Sequence, residues 1–176
     1  MLRLFFALQP TPAQNAALMG QVAPLIAQIG AQPVRADNLH ATLCFIGALE
    51  PERLMDLRAA AATVRGRLVK LCFDTLEHWE TPKILCATAR VESESARELS
   101  EDLAAVTTAA GFAPDIKPFR AHLTLARKVS RDLSVIFPQP LVPPTVVRCD
   151  RFVLMESRRE EGGSIYSVVE SWPLYD

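Results

Sequence analysis

The sequence predicts an α+β fold, bilobal, with two similar halves of largely antiparallel sheet around a central cleft, in one domain over residues 1–176. Three observations predict it. Strand-like and helix-like segments are mixed along the chain. Strands often adjoin with no helix between them, which disfavours a doubly wound parallel sheet. A tetrad of the form H-x-T-L occurs twice, as His40-Ala41-Thr42-Leu43 and His122-Leu123-Thr124-Leu125, and each copy would line the cleft.

The elements follow in order. Arg3 to Leu8 is rich in Phe and Leu and stops before Pro10, a first strand. Thr11 before Pro12 is an N-cap followed by a first helical position. Ala16, Met19, Val22, Ala23 and Ile26 then keep helical spacing up to Gly30, with Pro24 expected to kink or interrupt the helix. Leu39 to Ile46 reads as a strand and Pro51 to Val64 as a second helix. Val69 to Leu76 and Ile84 to Val91 read as strands joined through Thr81-Pro82. Ser93 is placed to cap a third helix from Glu94 to Ala110, ended by Gly111. Ile116 to Phe119 is extended, and His122 to Arg127 is another strand. The segment 130–144 carries four prolines and reads as irregular. Val146 to Glu156 and Ile165 to Glu170 read as a closing hairpin around Gly162-Gly163.

Composition bounds the function. Hydrophobic residues make up 49% of the chain and charged residues 22%, and a chain of this length buries roughly 70% of its unfolded surface without metal or disulfide. A net charge of −1 excludes the field of a nucleic-acid coat protein or a polybasic membrane binder. It leaves room for an enzyme that handles one phosphate at a time. The apolar run from Leu4 to Leu8 is too short for a signal-peptide core or a membrane span. Cys44, Cys72, Cys86 and Cys149 contain no CxxC pair, so they read as buried reduced thiols in a cytoplasmic protein rather than a zinc or disulfide framework.

The duplicated tetrad carries the chemistry. Each copy follows a Gly-x-x-Pro turn, Gly30 to Pro33 and Gly111 to Pro114, so two of only three histidines occupy equivalent places. Strand alternation puts His40, Thr42 and Cys44 on one face, and His122, Thr124 and Ala126 on the matching one. Two imidazoles can divide acid and base work near neutral pH, and two hydroxyls can donate to phosphate oxygens. His78 lacks the motif and reads as a strand-end residue. Glu156, Glu160 and Glu161 read as solvated residues near the hairpin turn.

With these residues the chain resembles the two-histidine phosphoesterases, in particular the RNA 2′,3′-cyclic phosphodiesterase (2′-5′ RNA ligase-like) branch. The carrying segments are RLFFAL at 3–8, LHATLCFIG at 39–47, PKIL at 82–85 and FRAHLTLARK at 119–128. Glu156-Ser157, Gly163, Tyr166 and Trp172-Pro173-Leu174 complete them, so the match spans the whole chain. The resemblance implies opening of a 2′,3′-cyclic phosphate at an RNA end to a 2′-phosphomonoester, without metal or cofactor. Reversible 2′-5′ joining of RNA ends is the reverse type of transfer. It further implies His122 as base and His40 as acid, with Thr42, Thr124 and Arg127 on the phosphate. Strict alternation places Arg127 opposite His122, so a bulge, a twist or the strand end must turn it into the cleft. Arg35 and Cys86 stand where relatives often carry aromatic side chains, which bears on base stacking.

Two other readings use the same pocket: a phosphodiesterase on small cyclic or 2′-5′-linked nucleotides, and a non-catalytic nucleotide-binding module. All three imply a monomeric protein whose partner is an RNA end or a small nucleotide, not a membrane.

Overall fold

A computed structural model describes residues 1–130, 133–161 and 163–176. Its elements are β1 (Leu2–Leu8), α1 (Pro12–Ile29), β2 (Gln32–Pro33), β3 (Ala41–Leu49), α2 (Leu54–Ala61) and β4 (Val69–Trp79). They continue as β5 (Ile84–Thr88), α3 (Glu94–Ala109), β6 (His122–Arg127), β7 (Gln139–Cys149), β8 (Arg151–Glu160) and β9 (Gly163–Pro173). Short 3-10 turns occupy Ala36–Asn38 and Pro51–Arg53.

The strands form two antiparallel sheets, one in the order β3-β1-β8-β9 and one in the order β2-β6-β5-β4-β7. Each contains the same unit, two antiparallel neighbours joined by a helix: β1-α1-β3 in the first and β5-α3-β6 in the second. One apolar core runs through both. Leu4, Phe6 and Leu8 of β1 share it with Leu85 of β5, Leu123 and Leu125 of β6, and Leu18, Leu99 and Leu103 of the helices. A smaller cluster of Phe5, Ala7, Val153 and Met155 packs with Phe45 and Tyr166.

Local chemistry accounts for the helix ends. Thr11 caps α1 through a full capping box with Gln14, and Gly30 closes it in the left-handed conformation at φ 67°. Pro24 does not interrupt α1. Its ring faces the carbonyl four residues back, at Gly20, and both residues are exposed, so that carbonyl meets water. Ser93 stands at the start of α3 without a capping bond; its hydroxyl meets that of Ser95. The second helix is shorter than expected, a 3-10 turn leading into α2.

The C-terminal third differs most from the sequence reading. Residues 139–144, expected to be irregular, open β7, whose partner is β4 and not β8. The prolines are tolerated because β7 is the edge strand and the ladder is interrupted beside Phe73 and Thr75. The closing hairpin is instead β8 with β9, paired from Arg151↔Pro173 to Glu160↔Gly163. Of its expected turn, Gly162 lies outside the described residues. Glu156 is not solvated: it is buried in β8, where Arg158 binds its carboxylate at 2.8 Å. Cys44, Cys86 and Cys149 are buried free thiols, and burial pushes them up to about 11, 12 and 11. Among the described residues no helix is long and apolar enough to cross a membrane.

Candidate active site

The two tetrads enter neighbouring sheets and share one irregularity. In β3, Phe6 pairs with Cys44 but Ala7 pairs with Thr42, which leaves Leu43 as an extra residue. In β6, Cys86 pairs with Thr124 but Leu85 pairs with Ala126, which leaves Leu125 as the extra residue. The bulge thus falls on the leucine of H-x-T-L both times. A bulge turns the following side chains over. Cys44 and Ala126 therefore go into the core, not onto the histidine faces that strict alternation assigned them. Phe45 and Arg127, each five residues after its histidine, turn into the cleft instead.

Each displaced carbonyl finds a partner from elsewhere in the chain. Ser100 of α3 donates its hydroxyl to the Leu43 carbonyl, and the Val34 amide donates to the Leu125 carbonyl at 3.0 Å. Burying these groups unpaired would be costly, so the bulges are held by tertiary contacts.

The cleft between the sheets has an inner part of about 300 Å³ bordered by His40, Thr42, His122, Thr124 and Arg127. The five expected site residues thus meet in one place. The histidines are held alike. Nδ1 of His40 donates to the Asn38 carbonyl at 2.6 Å, and Nδ1 of His122 to the Arg120 carbonyl at 2.8 Å. A carbonyl can only accept, so each neutral ring carries its proton on Nδ1 and leaves Nε2 free as a base.

Aromatic rings fix both imidazoles. His40 lies against Phe5 and Tyr166, each centroid 4.8 Å away, and His122 lies 4.8 Å from Trp79. Burial pushes His40 down to about 4; the Asn38 carbonyl opposes the shift, while His122 and Arg127 add to it. Burial also lowers His122, and the nearby Arg120 charge contributes. Burial thus favours the neutral form of both rings, and a nearby anion favours the charged form of both.

Three groups here were not assigned to the site from the sequence. Arg3 of β1 and Arg159 of β8 border the inner cleft with Arg127, and among the described residues none of the three guanidinium groups is paired to a carboxylate. Tyr166 of β9 backs His40. Their only sequence signal was membership of the first strand and the final hairpin. Arg35 borders the outer cleft, whereas Cys86 is fully buried beneath Thr124 and offers no stacking surface. His78 lies near the end of β4 outside the cleft lining. Among the described residues no group of three or more His, Cys, Asp or Glu side chains is placed to hold a metal ion.

Comparison with known proteins matches residues 7–83 to the family described as LigT like Phosphoesterase. An RNA 2′,3′-cyclic phosphodiesterase of Thermus thermophilus is 30% identical over 98% of this chain and 90% of its own length. One from Escherichia coli K12 is 27% identical over 98% of this chain and 96% of its own. The crystal structure of E. coli LigT complexed with 3′-AMP superposes with a TM-score of 0.82 at 26% identity, covering 99% of both chains. LigT complexed with NADP+ gives 0.82 at 25% identity, over 99% of this chain and 98% of that one.

Proposed function

Since this chain belongs to the RNA 2′,3′-cyclic phosphodiesterase family of LigT-like phosphoesterases, we propose that it hydrolyses a terminal 2′,3′-cyclic phosphate on RNA to a 2′-phosphomonoester. The observation that carries this reading is the pair of like-held imidazoles, each with its proton on Nδ1, in a cleft whose guanidinium groups have no carboxylate partner among the described residues. Such a site holds a phosphodiester anion and supplies one base and one acid without further groups.

The chemistry follows from position. His40, Thr124 and Arg127 border both the inner cleft and a wider outer part, whereas His122 borders the inner part alone. With the phosphate between the rings and the nucleoside in the outer part, the ribose lies on the His40 side. Water then attacks phosphorus from the opposite side and gives its proton to Nε2 of His122. The P–O3′ bond breaks and Nε2–H of His40 protonates the departing O3′, leaving a 3′-hydroxyl and a 2′-phosphate. Hydroxyls of Thr42 and Thr124 donate to the non-bridging oxygens, and Arg127 offsets charge gathering there. Run forwards with a ribose 5′-hydroxyl in place of water, the same steps break P–O3′ and join RNA ends through a 2′-5′ linkage. Run backwards from that linkage, the 3′-hydroxyl attacks, the 5′-hydroxyl leaves and the cyclic phosphate re-forms.

The test is an oligonucleotide ending in a 2′,3′-cyclic phosphate, incubated with EDTA. His40→Ala and His122→Ala should each lower kcat by about 10²- to 10⁴-fold. Full activity in either variant, or loss of wild-type activity in EDTA, would overturn the assignment. Buried free thiols fit a reducing compartment, and we assign the protein to the cytoplasm.

A further inference from the structure

Two lysines stand at the outer edge of the cleft, away from the reacting atoms. Lys83 (φ 64°) and Lys128 (φ 57°) are the non-glycine residues, among those described, with left-handed backbone. That conformation is unfavourable for an ordinary L-residue, and such strain collects where side chains serve a ligand. The two sit side by side. Lys83 directly precedes β5, Lys128 directly follows β6, and Ile84↔Arg127 is the adjoining cross-strand pair. The Val129 amide donates to the Lys83 carbonyl at 3.1 Å and closes that end of the ladder.

Both side chains are exposed and border the outer cleft of about 590 Å³. Among the described residues neither is paired to a carboxylate, whereas Arg35 beside them is bound to Asp37 at 3.1 Å. Glu160 and Glu161, in and just after β8, also border this space. A basic and an acidic lining suit one nucleotide unit, with its phosphate at the ammonium groups and its base amines at the carboxylates. Because His40, Thr124 and Arg127 border both parts, a strand with its terminal phosphate between the imidazoles runs outward past the lysines.

We propose that Lys83 and Lys128 form a subsite for the internucleotide phosphate next to the terminal ribose, so the preferred substrate is an RNA end of two or more nucleotides. This rests on the cyclic phosphodiesterase reading and narrows its substrate class; a cyclic mononucleotide leaves the subsite empty.

The experiment compares a fluorescent dinucleotide 3′-phosphate with the same compound carrying a neutral methylphosphonate linkage. Wild-type protein should bind the diester about tenfold more tightly, the size of one charge-assisted contact. The double variant Lys83→Asn, Lys128→Asn should bind the two equally, since asparagine tolerates the left-handed backbone and removes the charge. Equal binding by the wild type, or a preference that survives in the double variant, overturns the subsite. In turnover, the kcat/KM ratio of a cyclic-phosphate dinucleotide to a cyclic mononucleotide should fall towards one in the double variant. If no cyclic phosphate is opened at all, the function reading fails, while the binding difference still decides the subsite.

Discussion

At the residue level the two histidines look alike but sit in different electrostatic settings. His40 is the more strongly lowered, to about 4; in the proposed mechanism it receives its proton once an anionic phosphate is bound and then releases it readily. An aryl phosphodiester separates the roles, because a phenolate leaves without protonation. Measured on that substrate, His40→Ala should keep far more of the wild-type rate than it does on the cyclic phosphate, while His122→Ala should lose both. Equal losses on both substrates in both variants would count against the division of labour. Stability should carry the same signature. The unfolded His40 titrates near 6.5 and the folded one near 4, so between those values the unfolded chain binds the extra proton. Neutral His40 therefore contributes stability that is complete above pH 6.5 and is lost, up to about 3 kcal/mol, as pH falls towards 4. Urea unfolding near pH 7 and near pH 4.5 should show this drop, and His40→Gln should narrow it.

At the level of elements, β3 and β6 depend on what packs beside them. Ser100→Ala leaves the Leu43 carbonyl buried without its donor, at a cost of about 1–3 kcal/mol. A denaturation midpoint no lower than wild type would mean the bulge is held by other contacts. Behind His122, β4 supplies a second support. Trp79 donates Nε1–H to Glu77 at 2.8 Å, Thr88 donates to the same carboxylate, and Arg120 binds both its oxygens while its guanidinium stacks 4.9 Å over Trp79. Burial alone would raise the Glu77 carboxyl, but these donors together hold it below its ordinary value. Arg120→Met removes a positive charge that lowers His122. The acidic limb of the kcat/KM profile should then move to higher pH. A merely structural role would lower kcat and leave the limb in place.

For the whole molecule, one core threads both sheets, so both should unfold together. Trp79 lies in β4 and Trp172 in β9, one in each sheet. Single-tryptophan proteins made by Trp79→Phe or Trp172→Phe should give coincident urea transitions, and separated midpoints would show two independent units. Much of this architecture was legible residue by residue: the Thr11 cap, the Gly30 stop, most strands, and the twin tetrads. The edge strand β7 was not, because Pro140, Pro143 and Pro144 argue against any strand until its place at the sheet margin is known. Nor were Arg3 and Arg159 visible as cleft residues, since pairing or its lack is decided by neighbours distant in sequence. By itself, then, the sequence determined which reactive groups exist and that they come as a repeated pair. Only the tertiary structure decided which side chains face the cleft. Alternation holds just while a ladder stays regular, and the bulges at Leu43 and Leu125, stabilised by donors from Ser100 and Val34, carry Arg127 and Phe45 inward and Cys44 and Ala126 away.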